Sequence, residues 1–446
     1  MGTGLGHYIP IVFYLMAWIM CLVALFGRPL YTFYFLLPLL PYESFREHLL
    51  DFPLGGNMLT FLILSVVIGA LLHGKRLPKS GIYTIWLIFG IYLYISMWYG
   101  ALIGNAPLPL WINDKNFAMW KDYMLLPIVM VAAGLVVEDR KAVRTVIIIT
   151  AITMLLIDKA SIQNSILSRT MTHFDESKRD GGPLGFAGSN GLAAFLAQMA
   201  MFFWGFGQYL KTRKYKILCY ILVGITIFAT MYTFSRAAYI TLVLITFLLG
   251  ILKDRKLIIL GAVFLFTWQA LVPTAVTERV NMTTSPTGRL DGSSNERVEL
   301  WTAAQDSILH SPVLGNGYAT FQFGQHVDSL RDTHNWYIKV LVETGLVGFL
   351  IACALLWKMV ALSWNIFRRS VDPLYQGLGL GLVLLIFSNL VLTFFGDRWT
   401  YLEINGMLWA LLGVATRVYY LKEAEPSTEP ATIEPEFVAN PYLVMR

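Results

Sequence analysis

Apolar runs about as long as a bilayer is thick recur along this chain and limit its fold more than any other feature. They occupy residues 8–26, 57–72, 82–103, 123–137, 143–157, 191–209, 217–233, 237–252, 257–272, 336–357, 377–394 and 402–420. About 20 apolar residues in an α-helix cross a hydrocarbon core of about 30 Å, so these runs read as about twelve transmembrane helices. With 56% of residues hydrophobic and 14% charged, a water-soluble core could not cover them. The expected fold class is therefore all-α, a polytopic transmembrane helix bundle. A shorter run at 31–40, followed by Pro41, fits either a half-membrane segment or a short extra span.

The formal net charge of +6 is the surplus expected of cytoplasmic loops and gives no reason to expect a nucleic-acid partner. The basic loops 73–79, 211–216 and 253–256, with Arg368-Arg369, fall on one side when spans are counted alternately, and that side is expected to be the cytoplasm. The loops 105–116, 158–189, 273–333 and 396–401, with the tight turn Phe234-Ser235-Arg236, then face outward, to the periplasm of a Gram-negative cell. The first run has no basic leader and no small-residue cleavage site, so it reads as a retained span. Cys21, Cys219 and Cys353 all lie in apolar runs, where a thiol behaves as a small hydrophobe, and a disulfide framework is not expected.

One membrane domain is expected over residues 1–421, with a large periplasmic loop at 273–334, and a disordered cytoplasmic tail at 422–446, rich in Glu and Pro. Inside the large loop, Ser293-Ser294-Asn295-Glu296 has capping-box spacing and predicts a helix start. Its apolar positions Trp301, Ala304, Ile308 and Leu309 share a face, which predicts an amphipathic helix along the membrane surface or over the bundle mouth. Gly315-Asn316-Gly317 predicts a turn after it.

Chemistry is expected on the outer side, where Arg179, Arg236, Arg297 and His334 all fall. A guanidinium never loses its charge and offers a planar fork to phosphate oxygens, so Arg179 and Arg236 suit a diphosphate. The plainer alternative for each is an interfacial arginine reaching for lipid headgroups. The squeeze of Arg236 between two apolar runs favours function there. His334 closes the large loop in Arg331-Asp332-Thr333-His334-Asn335-Trp336 and can accept a proton near neutral pH, although a loop-end histidine bonded to Asp332 or to a carbonyl would look the same. Lys339 and Glu343 are spaced i, i+4 and could simply neutralise one another. The outer loops hold no Asp-x-Asp pair and no His/Cys cluster, and Glu43 and Glu47 are loosely placed. No metal site and no cofactor are therefore expected.

The ordered motifs Arg179 with Gly185 to Asn190, Ser235-Arg236-Ala237-Ala238, Glu296-Arg297 with Trp301, Leu314-Gly315-Asn316-Gly317 with Phe321, and His334-Asn335-Trp336 with Glu343-Thr344-Gly345 resemble the O-antigen ligase/polymerase family of bacterial membrane glycosyltransferases. The resemblance covers roughly the second half of the chain. It implies a GT-C-like bundle in the inner membrane that moves a glycan from undecaprenyl diphosphate to an acceptor such as lipid A-core, among membrane lipids and without metal or nucleotide sugar. By the same resemblance His334 is the catalytic base, Arg179 and Arg236 bind the diphosphate, and Arg297, Asn335 and Glu343 are supporting positions. The sequence departs from the family at Ala187-Gly188-Ser189, where many members place Pro directly before the Asn that matches Asn190. Within the family a polymerase or a protein O-oligosaccharyltransferase is the alternative to a ligase. Outside it, a lipid-linked glycan transporter would call for ionisable groups near mid-span and paired broken helices.

Overall fold

The computed structural model describes residues 8–103, 106–111, 114–179, 181–282, 292–323 and 333–424, and among these no strand occurs. The first half comprises α1 (Ile9–Phe26), α2 (Pro29–Leu36), α3 (Glu43–Glu47), α4 (Met58–Leu72), α5 (Gly81–Ile103), α6 (Lys115–Val136), α7 (Arg140–Asn164) and α8 (Ile166–Arg169). The second half comprises α9 (Gly188–Gly207), α10 (Arg213–Met231), α11 (Arg236–Leu252), α12 (Lys256–Leu271), α13 (Thr274–Asn281), α14 (Gly292–His310), α15 (Trp336–Arg369), α16 (Pro373–Phe394) and α17 (Leu402–Ala424). Every apolar run read from the sequence is a helix. Eight helices among the described residues are long and apolar enough to cross a membrane. The others are shorter, such as α11 and α12, or carry polar residues into the core, as α9 and α17 do.

The short run proves to cross the bundle. Tyr14 near the start of α1 donates its hydroxyl to the Pro53 carbonyl just before α4, and Gly69 near the end of α4 lies against the Ala24 carbonyl near the end of α1. The two helices therefore run parallel, and the segment between them must return to the opposite end. That segment is α2 with the 3₁₀ turn Leu37–Leu39. It is too short for lipid on all sides but not for a protein interior, and Phe33, Leu36, Leu37 and Leu40 are fully buried.

The basic loops gather at one end. Lys75 pairs with Glu138 and Arg140 with Asp372, the Arg417 guanidinium caps the Gly134 and Arg76 carbonyls, and Lys253 stacks on Tyr209 at 4.1 Å. At the opposite end lie the connections before α9, α11, α15 and α17. The centre is α9, buried along most of its length. It is tied to α16 and α17 by a polar chain in which Asn389 donates to Gln198 at 2.9 Å and to Asn405. The Gln198 amide in turn donates to the Ile404 carbonyl. Each of these side chains finds at least one partner in the core, although the buried Asn389 Oδ1 accepts from none among the described residues.

Helix α15 breaks at Gly345, which has φ 62° and ψ −168°, and residues 312–317 pack into the break. Asn316 and Gly317 donate their amides to the Val342 and Glu343 carbonyls at 2.9 and 2.8 Å. Leu346 and Val347 donate to Pro312 and Val313 at 2.9 and 3.2 Å. The Tyr92 hydroxyl takes the Thr344 carbonyl. Irregular backbone at membrane depth survives only when protein satisfies it in this way. The approach requires glycine at Gly345, where a Cβ would lie 2.3 Å from the Val313 carbonyl oxygen.

The expected loop helix is α14, rotated slightly from the sequence reading. Leu300 and Ala304 are fully buried with Trp301 and Ile308 beside them, packed on Phe321 and Val342, while Leu309 is 70% exposed. The helix covers the mouth of α15, and that contact, not the bilayer surface, selects its buried face. Helix α17 continues to Ala424, so the boundary at 421 falls inside it, and residues 425–446 of the expected tail lie outside the described residues.

Candidate active site

Three connections meet around Arg179 at the end opposite the basic loops. The first, residues 171–179, ends in a 3₁₀ turn, Glu176–Lys178, capped by Asp175. The Asp175 carboxylate accepts from the Ser177 hydroxyl at 2.7 Å and amide at 3.0 Å, which holds it below the usual carboxylate range. The second is the turn into α11. There Phe234 adopts φ 53°, a left-handed conformation that a bulky residue adopts only under constraint, and the Tyr239 hydroxyl braces the turn by donating to the Met231 carbonyl. The third is α13, at a 110° bend to α12. Phe234, Ala275 and Val276 form the buried floor beneath all three, with Phe174 packed on it.

Arg179 is the bolt between these pieces. Its side chain is only 4% exposed. Nε donates to the Thr233 carbonyl at 2.9 Å, Nη2 to Asn190 Oδ1 at 2.8 Å, and Nη1 to the Glu176 carboxylate. Asn190 arrives there through the glycine-rich stretch 181–188, in which Gly182, Gly185 and Gly188 all have positive φ. Arg279 of α13 reaches the same carboxylate from the other side, Nη2 to Oε2 at 3.3 Å, with its guanidinium 4.4 Å from the centre of the Phe174 ring. Neighbouring Glu278 accepts the Phe174 amide at 2.7 Å and fastens the segment to α13. Arg236 is the first residue of α11, half-buried, directly after the strained turn.

His334 stands at the mouth of α15 between two buried residues, Thr333 and Asn335, and is itself half-buried. Its φ of 51° is left-handed. Trp301 of α14 fixes the approach by donating its indole N–H to the Thr333 carbonyl at 2.9 Å. The Asn335 side chain accepts from the Tyr337 and Ile338 amides at 3.0 and 3.2 Å, which makes it the N-cap of α15. It thus starts the helix directly after His334. Arg297 lies in α14, half-buried, one turn before Trp301.

Deeper in the same end, the buried Lys339 donates to Asp397 at 2.8 Å, a partner that comes from the loop before α17. Thr400 also donates to Asp397, at 2.9 Å. Burial opposes the charge on Asp397, but the Lys339 ammonium and the Thr400 bonds more than offset it and hold the carboxyl below its usual range. Lys339, Glu343, Tyr318, Tyr123 and Thr400 line a narrow cavity. Burial pushes the Tyr318 phenol well above its ordinary value, which keeps it a neutral donor.

The structure therefore joins Arg179 to Asn190, places Arg236 on an adjoining turn, and sets His334 and Asn335 at a helix mouth with Glu343 farther down the same helix. Sequence reasoning missed Arg279, Glu176 and Asp397. Asp397 left a usable signal, an acidic residue in a six-residue loop between apolar spans. Arg279 left none, since nothing in its neighbourhood in sequence shows that α13 folds back onto residues 174–176.

The fold and the gathered charges define an all-α, multi-pass membrane protein whose polar chemistry is concentrated at one end of the bundle. Residues 221–353 match the family model described as O-antigen ligase. This match supports the O-antigen ligase family and, in general, a membrane glycosyltransferase function of the ligase/polymerase type. The matched stretch runs from α10 into α15 and contains Arg236, Arg279, Arg297, His334 and Glu343; Arg179 precedes it. No curated protein matches the chain.

Proposed function

We propose that this protein transfers a glycan from undecaprenyl diphosphate to an acceptor hydroxyl on the periplasmic side of the inner membrane, joining O-antigen to lipid A-core. The observation that carries the reading is the Arg179 guanidinium, nearly buried and oriented by fixed acceptors at the rim of the bundle, with Arg236 on the adjoining turn. A lipid-anchored diphosphate presents its charge at the membrane boundary, where an arginine at the ends of spans can meet it. Arginines held in place before the reaction stabilise the charge that grows on the departing diphosphate without reorganising.

In this scheme His334 removes the proton from the acceptor hydroxyl, whose oxygen attacks the anomeric carbon as the bond to the diphosphate breaks. The Trp301 tether on Thr333 and the Asn335 cap fix the backbone on either side of His334 at the helix mouth. The arginines carry the charge, so the scheme has no step that needs a metal or other cofactor. The test is a deletion strain examined by lipopolysaccharide gel. Loss of the O-antigen ladder with lipid-linked polymer intact supports the ligase, a single-repeat product on lipid A-core would replace it with a polymerase, and an unchanged ladder would overturn both.

A further inference from the structure

The Glu176 carboxylate sits between two guanidinium groups from different connections. Nη1 of Arg179 reaches Oε1, and Nη2 of Arg279 reaches Oε2 at 3.3 Å. One N–H from each of two guanidinium groups meets one of the two carboxylate oxygens, and arginines from separate segments can meet the oxygens of a phosphate in the same way. The arginine side chains are only 4% and 13% exposed, whereas Glu176 is 62% exposed. The cations are thus built into the wall, and the anion is a loosely held occupant from the surface.

We infer that Arg279 is a further diphosphate-binding residue, and that Glu176 is an internal stand-in which the phosphate displaces. The inference rests on the proposed donor class and adds to it a residue and an exchange. The Phe174 ring stacked on Arg279 and the Thr233 and Asn190 acceptors on Arg179 keep both forks in place when the carboxylate leaves. A singly charged, mostly exposed carboxylate is a weak partner. A diphosphate brings more charge and more acceptor oxygens to the same two forks. Glu176 lies in a 3₁₀ turn whose cap, Asp175, is independent of either arginine, so the side chain can swing out while the turn stays folded. The carboxylate also neutralises the paired cations while no donor is bound.

The test is titration of purified full-length protein in nanodiscs of zwitterionic lipid with undecaprenyl diphosphate and, separately, with inorganic pyrophosphate. Removing the competitor with Glu176→Gln should tighten both by about 3-fold, as expected for the loss of an exposed ion pair. Arg279→Gln should weaken both by about 10-fold. Arg279→Lys should fall between that variant and wild type, because it keeps charge but loses the fork. Glu176→Gln should have a smaller effect in the Arg279→Gln background, since the two residues act on one seat. Unchanged or weaker binding by Glu176→Gln, or wild-type binding by both Arg279 variants, would overturn the inference. A protein that bound pyrophosphate in this pattern but transferred no glycan would sink the proposed reaction and leave the seat intact. Discs containing phosphatidylglycerol separate the sources: tightening seen only as retention of that lipid would assign the seat to headgroups and overturn the donor assignment.

Discussion

At the scale of single residues, the site depends on side chains whose geometry matters more than their charge. Arg236 follows a left-handed Phe234 at the head of α11, so its guanidinium is delivered from a rigid turn. Arg236→Lys should keep the charge yet lower glycan transfer by about 10-fold or more, because an ammonium cannot make two parallel bonds to phosphate; wild-type transfer by a normally expressed lysine variant would remove the diphosphate role. Lys339 and Asp397 pose the opposite problem, since each is buried and compensates the other. Lys339→Met should destabilise by about 3–5 kcal/mol by leaving the buried Asp397 carboxylate without its cation, and Lys339→Met combined with Asp397→Asn should recover much of that loss in thermal unfolding. Because the folded carboxyl of Asp397 sits below its unfolded value of about 3.9, its contribution is complete above that pH and is lost only as acid takes the solution below it.

At the scale of elements, the broken helix and its inserted loop form one unit. Gly345→Ala would place a methyl group 2.3 Å from the Val313 carbonyl oxygen in a left-handed conformation, whereas Gly74→Ala, at φ 70° with open space around it, meets only the conformational cost of about 1–2 kcal/mol. The Gly345 variant should therefore unfold at a clearly lower temperature than the Gly74 variant, and equal losses would mean that the loop does not dock as described. Trp301→Phe keeps the packing of α14 but leaves the buried Thr333 carbonyl without its donor, a cost of about 1–3 kcal/mol. It should lower turnover more than donor affinity, because it frees the His334 approach and leaves the arginines in place.

The same elements show what a reading of residues in order can and cannot reach. Long apolar runs, basic loops, the α14 start and the turn at Gly315 to Gly317 were legible because each is written in local composition and spacing. The crossing by α2 was not, because its length fits two topologies and only the parallel packing of α1 and α4 decides between them. Asn335, expected beside the chemistry, caps α15, and a capping side chain cannot be told from a site side chain before the helix start is known. The contacts of Arg279 with Glu176 and of Lys339 with Asp397 join residues far apart in sequence and follow from tertiary folding alone.

At the scale of the molecule, the bundle keeps two ends of different character. One carries the basic loops, with Arg140–Asp372 and Lys75–Glu138 binding helix ends together. The other carries the arginines, His334 and the cavity beneath it. With α2 crossing, Tyr8 at the start of α1 lies at the same end as His334, so impermeant thiol reagents applied to intact cells should label Tyr8→Cys and spare Lys214→Cys. Strong labelling at Lys214→Cys would invert the orientation and put the proposed site in the cytoplasm.

The central claim is transfer from a lipid diphosphate with His334 as the base. The most direct measurement is turnover by the purified protein, in EDTA, supplied with undecaprenyl-diphosphate-linked O-antigen and lipid A-core. The account predicts product from wild type in EDTA, and a drop of about 10²- to 10⁴-fold in His334→Ala with donor binding retained. Full activity of His334→Ala, or activity lost in EDTA and restored by Mg²⁺ or Mn²⁺, would contradict it.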